Sequence, residues 1–122
     1  MTIVCVDNTP IMLQSLKEDA SKAYPEANVQ TFLTEEPAFD YVKNFGCDVL
    51  MCEINPPRLE GLFLAEKVKN INPRVNIIFV TVCSESEHAK AVMRLKPSGY
   101  LTKEATDTQL LEELQDLRYP LS

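Results

Sequence analysis

The pattern that most limits what this chain can become is an alternation. Short apolar runs of strand length recur five times, and each is followed by a segment whose apolar residues return every three or four positions. The runs lie near residues 2–6, 28–32, 48–53, 76–81 and 98–101. The helical stripes are Met12, Leu16, Ala20 and Ala23; Ala38, Val42 and Phe45; Leu62, Ala65 and Val68; Ala89, Val92 and Leu95; and Leu110, Leu114 and Leu117. Strand then helix, repeated with short connections, predicts an α/β fold with a parallel sheet covered by helices on both faces. The runs near 2–6, 48–52 and 76–80 are the most continuously apolar and are predicted to be central. Pro25, Pro73 and Pro97 fall between helices and the strands that follow, where a residue unable to continue a helix belongs. Thr34 with Pro37, Glu60 with Gly61, and Thr106 read as helix starts, and Pro120 reads as the break that ends the last helix. With 122 residues, 45% of them hydrophobic, and no repeat or internal linker, one domain spanning 1–122 is expected.

Charge and composition exclude several classes. Twelve Lys and Arg stand against 18 Asp and Glu, and a net charge of −6 repels a phosphate backbone, so no direct nucleic-acid binding is expected. No run of apolar residues is long enough for a membrane span and no secretory signal pattern opens the chain, which predicts a cytoplasmic protein without membrane attachment. Cys5, Cys47, Cys52 and Cys83 lack CxxC spacing, and the expected role is that of small, reduced core residues. His88, among Glu85, Glu87 and Lys90, is expected on the exposed face of the fourth helix with no catalytic part. Met12, Met51 and Met93 are expected in the core.

Ligand sites in open parallel sheets form beyond the carboxyl ends of the strands. There the first strand delivers Asp7 and Asn8, the third Glu53 and then Asn55, the fourth Thr81, and the fifth Thr102 and Lys103. Taken singly, each has an ordinary structural reading: Asp7-Asn8-Thr9 can cap a helix and Lys103 can be a solvated lysine. Their convergence on four strand ends points to a site.

The blocks VDN (6–8), DVLMCEINPPRLEGL (48–62), INPRVNIIFVT (71–81) and SGYLTK (98–103) make nearly the whole chain similar to the receiver domains of two-component response regulators. The resemblance implies a flavodoxin-like receiver fold, with a five-stranded sheet in the order 2-1-3-4-5 and five flanking helices. It places Glu53 at the phosphoacceptor position and Asp7, Asn8, Thr81 and Lys103 in the surrounding cluster. Thr81 and Tyr100 become the switch pair. It also implies a metal held by Asp7, Glu53 and the backbone carbonyl of Asn55. A protein partner is implied as well: a histidine kinase, an output domain or another signalling protein. The face made by the fourth helix, fifth strand and fifth helix, with Arg94 and Lys96 opposite Glu112, Glu113 and Asp116, is either a homodimer surface or a solvated one.

The departures from that pattern shape the functional expectation. The family acceptor is aspartate; Glu53 is longer by one methylene, roughly 1.5 Å, and a misplacement of ~1 Å can slow a positioned reaction ~10²-fold. Asn8 replaces the second acid, removing an anionic ligand and predicting no cofactor or only weak Mg²⁺. Val82 is bulkier than the small residue expected after Thr81, and Glu104 stands where relatives carry proline after the lysine. The expectation is an atypical receiver, or pseudo-receiver, that is not phosphorylated at Glu53 and acts by protein contact. Two versions remain open: Glu53 imitates a phosphorylated acid by reaching Thr81 or Lys103, or it is an inert strand end that locks the domain inactive. The alternative is a working phosphorelay receiver that controls a transcriptional output domain absent from this chain. An enzyme is not expected, because Asp7-Asn8-Thr9-Pro10 offers no glycine-rich, phosphate-cradling loop.

Overall fold

A computed structural model describes residues 1–54, 59–81, 89–104 and 107–121. Asn55, Val82, Cys83, His88 and Thr106, to which expectations were attached above, lie outside the described residues. Five strands alternate with five helices: β1 (Thr2–Val6), α1 (Pro10–Ala23), β2 (Asn28–Phe32), α2 (Glu35–Phe45), β3 (Val49–Ile54), α3 (Glu60–Ile71), β4 (Asn76–Thr81), α4 (Ala89–Arg94), β5 (Gly99–Thr102) and α5 (Asp107–Gln115). All neighbouring strands run parallel, in the order β2-β1-β3-β4-β5, as the resemblance implied.

Side chains alternate across a strand, so each strand feeds two cores. Val4, Val6, Leu50, Cys52, Ile77 and Phe79 point to one, closed by Ala38 and Val42 of α2, Leu62, Ala65 and Val68 of α3, and Val92 of α4. Ile3, Cys5, Val49, Met51, Ile78 and Val80 point to the other, closed by Leu13, Leu16 and Ala20 of α1 and Leu110 and Leu114 of α5. Each large side chain fully buried here contributes about 1.5–3 kcal/mol of transfer free energy. β3 and β4 are buried along their whole length and β1 nearly so, whereas β2 forms a half-exposed edge.

Two apolar expectations and one helix end are corrected; Leu117 itself packs, partly buried, on the core closed by α1 and α5. Phe45, the last residue of α2, is 72% exposed and rests on Tyr41 with ring centroids 4.9 Å apart, because the stripe has turned past the sheet by the end of the helix. Met93 is 61% exposed on the short α4, which buries only Val92. α5 ends at Gln115, before Leu117 and well before Pro120. The N–H of Asp116 is shared between the carbonyls of Glu112 and Glu113 (3.0 and 3.3 Å), and the chain then leaves the helix so that Arg118 can reach Ser98. Cys5, Cys47 and Cys52 are buried and unpaired, and burial pushes the thiols of Cys5 and Cys47 up to about 12.

Candidate functional site

Register brings the polar strand ends together. Val6 pairs with Cys52, Glu53 with Val80, Ile54 with Thr81, and Thr81 with Thr102, so Asp7, Glu53, Thr81 and Lys103 gather at one edge of the sheet. The Lys103 N–H donates to the Thr81 carbonyl (2.6 Å), which carries the β4–β5 pairing one residue past the strand. Asp7 is fully buried, and its Oδ1 accepts the Thr9 N–H (2.8 Å), turning the chain into α1, where Thr9 holds the N-cap position without a side-chain cap bond and Pro10 leads.

Glu53, 8% exposed, has both carboxylate oxygens engaged. Oε1 accepts the backbone N–H of Asn8 (3.1 Å), and Oε2 accepts Lys103 Nζ (2.8 Å). The same ammonium lies 3.3 Å from Asp7 Oδ2, so one cation bridges two buried carboxylates. The electrostatics divide the roles. Burial raises the Asp7 carboxyl above its ordinary range, and the Glu53 charge adds to this while Thr9 and Lys103 oppose it. Burial also acts to raise Glu53, but the bonds from Lys103 and Asn8 outweigh it and hold the group below its ordinary value. Burial acts to lower Lys103, and its contacts with Glu53 and Asp7 overcome that and raise it. Glu53 is therefore the stronger anion and Asp7 the weaker acid.

A second restraint on Glu53 comes from α3. A Cβ built on Gly61 would lie 1.8 Å from the Glu53 carbonyl oxygen, so only glycine lets the helix start approach this strand end. The Glu60-Gly61 start was legible in the sequence, but its closeness to Glu53 was not. Nor was the backbone N–H of Asn8 as a donor, because residue types report side chains, whereas a backbone bond depends on how β1 and β3 end beside each other. The Asn8 side chain is exposed, and its Oδ1 accepts the Thr9 hydroxyl (3.3 Å). Glu104 is exposed, Thr81 is buried, and Tyr100, paired with Phe79, is half-buried against the core closed by α4.

The described residues do not fit a divalent metal at this edge. The position between Asp7 and Glu53 is held by the Lys103 ammonium, and among the described residues no three His, Cys, Asp or Glu converge. Two acids balanced by an ammonium form a closed ion cluster, whereas a metal centre needs anionic oxygens open to the ion.

A doubly covered parallel sheet with acids and a lysine at its carboxyl edge defines a receiver-type α/β module. The response regulator receiver domain family matches residues 3–115, and the chain belongs to that family. Receiver domains act in two-component signalling, where they interact with kinases and output domains, and they are generally non-enzymatic modules. Among characterised relatives, the Fimbriae Z protein of Salmonella typhimurium is 24% identical over 105 residues, covering 84% of this chain and 49% of that protein. The oxygen regulatory protein NreC of Staphylococcus aureus is 32% identical over 75 residues, 61% of this chain and 35% of that protein. This chain thus aligns with half or less of the length of these relatives. The CheY-like receiver domain protein of Methanospirillum hungatei superposes with a TM-score of 0.81 at 23% identity, over 93% of this chain and 90% of that one. No helix among the described residues is long and apolar enough to cross a membrane.

Proposed function

We propose that this receiver domain, read as one unit over 1–122, signals without phosphorylation at Glu53, the ion pair of that residue standing in for the phosphoryl group. The observation that carries the reading is the 2.8 Å contact between Glu53 Oε2 and Lys103 Nζ. In the family pattern the lysine balances a phosphoryl group on a shorter acid. Here the longer side chain reaches the lysine itself, and its other oxygen is engaged by Asn8. A carboxylate held in this way is a poor nucleophile: attack on a phosphodonor requires breaking a buried ion pair and losing the cation that would balance the product. The half-buried Tyr100 supports the imitating version over the inert one, because the resemblance links an inward tyrosine with the active state. One carboxylate carries about half the charge of a phosphoryl group, so the imitation is partial. Output then runs through protein contact, and the exposed Met93 on α4 belongs to the face that receivers use for it.

The test is intact-mass spectrometry after incubation with acetyl phosphate and MgCl₂, on the wild type beside Glu53→Asp. The expected result is an unmodified wild type and a phosphorylated Asp variant. A phosphorylated wild type overturns the proposal and restores the reading of a working phosphorelay receiver.

A further inference from the structure

A second polar cluster lies away from the Glu53 edge, in a cleft of about 130 Å³ between α1 and α5. Met12, Ser15 and Asp19 of α1 face Asp107 of α5 across it, with Thr102 and Lys103 closing the end. Asp19 was not singled out by sequence patterning, although it interrupts an apolar stripe between Leu16 and Ala20. It is only 2% exposed, and among the described residues its buried Oδ2 has no hydrogen-bond donor, with the Asp107 carboxyl set against it. The opposing carboxylate of Asp107 is exposed, so the cleft is open to solvent on that side. At the other end of the same helix pair the interface is closed by a good bond, Tyr24 hydroxyl to Leu114 carbonyl (2.5 Å).

Two carboxylates facing each other are mutually repulsive when both are ionised, and a buried charge without a donor among the described residues needs a partner. The neighbouring cations do not supply it. Lys103 has its ammonium held by Glu53 and Asp7, and Lys22, on the same helix, favours the Asp19 charge less than Asp107 opposes it, with Glu18 also against it.

We propose that this cleft is a cation site in which Asp19 and Asp107 hold a hard divalent cation, with the hydroxyl side chains of Ser15 and Thr102 lining it. The charge balance selects a dication: two carboxylates carry −2, and hard dications take carboxylate, hydroxyl and water oxygens. The cleft has room for such an ion with part of its water shell. Occupancy ties the first turn of α5 to α1, next to the strand end that carries Lys103. The site does not depend on the reading of Glu53 given above.

Thermal melts in MgCl₂ and in CaCl₂, against an EDTA control at constant ionic strength, test this directly. At 10 mM, with a dissociation constant on the order of 1 mM, one or both salts should raise the wild-type Tm by about 5 °C. Asp19→Asn and Asp107→Asn should each abolish the increase, while Glu26→Gln, at an exposed carboxylate in the turn between α1 and β2, keeps it. Asp107 is exposed, so its variant carries the test independently, with the buried side of the cleft unaltered. A wild type indifferent to both salts, including one that responds to pH alone because a shared proton serves the pair, overturns the site. So does an increase that survives in either Asp variant or disappears in Glu26→Gln.

Discussion

Lys103 illustrates how one side chain can set the ionisation of two others. Replacing it with Met leaves Glu53 and Asp7 buried without their shared cation, and about 2–3 kcal/mol should be lost at neutral pH, less than for a wholly buried pair because Lys103 retains some solvent contact. Glu53 is held below its ordinary value, so its contribution is present above the unfolded pKa and disappears as pH falls through the lower folded one. The gap between wild type and Lys103→Met, measured by urea denaturation, should therefore narrow on acidification below about pH 4. Asp19 has the opposite sign. Burial, helped by Asp107, raises it to about 6, so its contribution is present below the unfolded value and lost as pH rises through the folded one. In EDTA, Asp19→Asn should be more stable than wild type by about 2 kcal/mol at pH 7.5, with the difference shrinking towards pH 4. An unchanged difference between the two pH values would show that the Asp19 carboxyl titrates as it does in the unfolded chain.

At the scale of elements, a closed contact between helix and strand fixes the reach of Glu53. Gly61→Ala brings a methyl against the Glu53 carbonyl, which is backbone and cannot swing away; α3 or the end of β3 must move. Overpacking of this kind costs about 1–3 kcal/mol and outweighs the gain in helix propensity. Gly99→Ala is the control, since its Cβ meets the carboxylate of Glu113, a flexible side chain that can move aside, and the cost should stay below about 1 kcal/mol. Chemical denaturation of both variants checks the order. The elements themselves were largely legible: β1, β2 and β4 have the bounds that the apolar runs suggested, for β1 and β4 because central parallel strands are apolar on both faces. The end of α5 was not, because Pro120 marks where a helix cannot continue, whereas the actual stop depends on a tertiary pull from Ser98 and Asn76. Phe45 and Met93 failed for a related reason: period locates a stripe but not where the sheet beneath it ends. At the Glu53 edge, the residue types and their strand ends could be read in advance, while the direction of each bond depended on register and side-chain length.

Across the whole molecule, the residues after α5 fasten to the amino ends of β4 and β5. Asn76, at the start of β4 and 1% exposed, is the fastener: its Nδ2 donates to the Tyr119 carbonyl (2.9 Å), and its Oδ1 accepts the Tyr119 N–H (2.7 Å) and the Ser98 hydroxyl (2.9 Å). Ser98 in turn accepts the Arg118 N–H (2.9 Å), and the Lys69 ammonium sits 4.5 Å above the Tyr119 ring and donates to its hydroxyl (3.2 Å). Burial of α5 against α1 therefore has a tether at the amino ends of the strands, opposite the Glu53 edge at their carboxyl ends. Asn76→Ala removes three bonds at one point, but the released tail can hydrate its own groups, so the net cost should be about 2 kcal/mol, well short of three full hydrogen bonds. Hydrogen exchange separates this from a general weakening of the fold. The amides of Arg118 and Tyr119 should lose protection by a larger factor than those of β1 and β3, since local release adds to the global change only at the tail. Equal loss throughout would mean that the tail opens only when the whole domain unfolds, and the fastener would then be part of the core, with no separate tether.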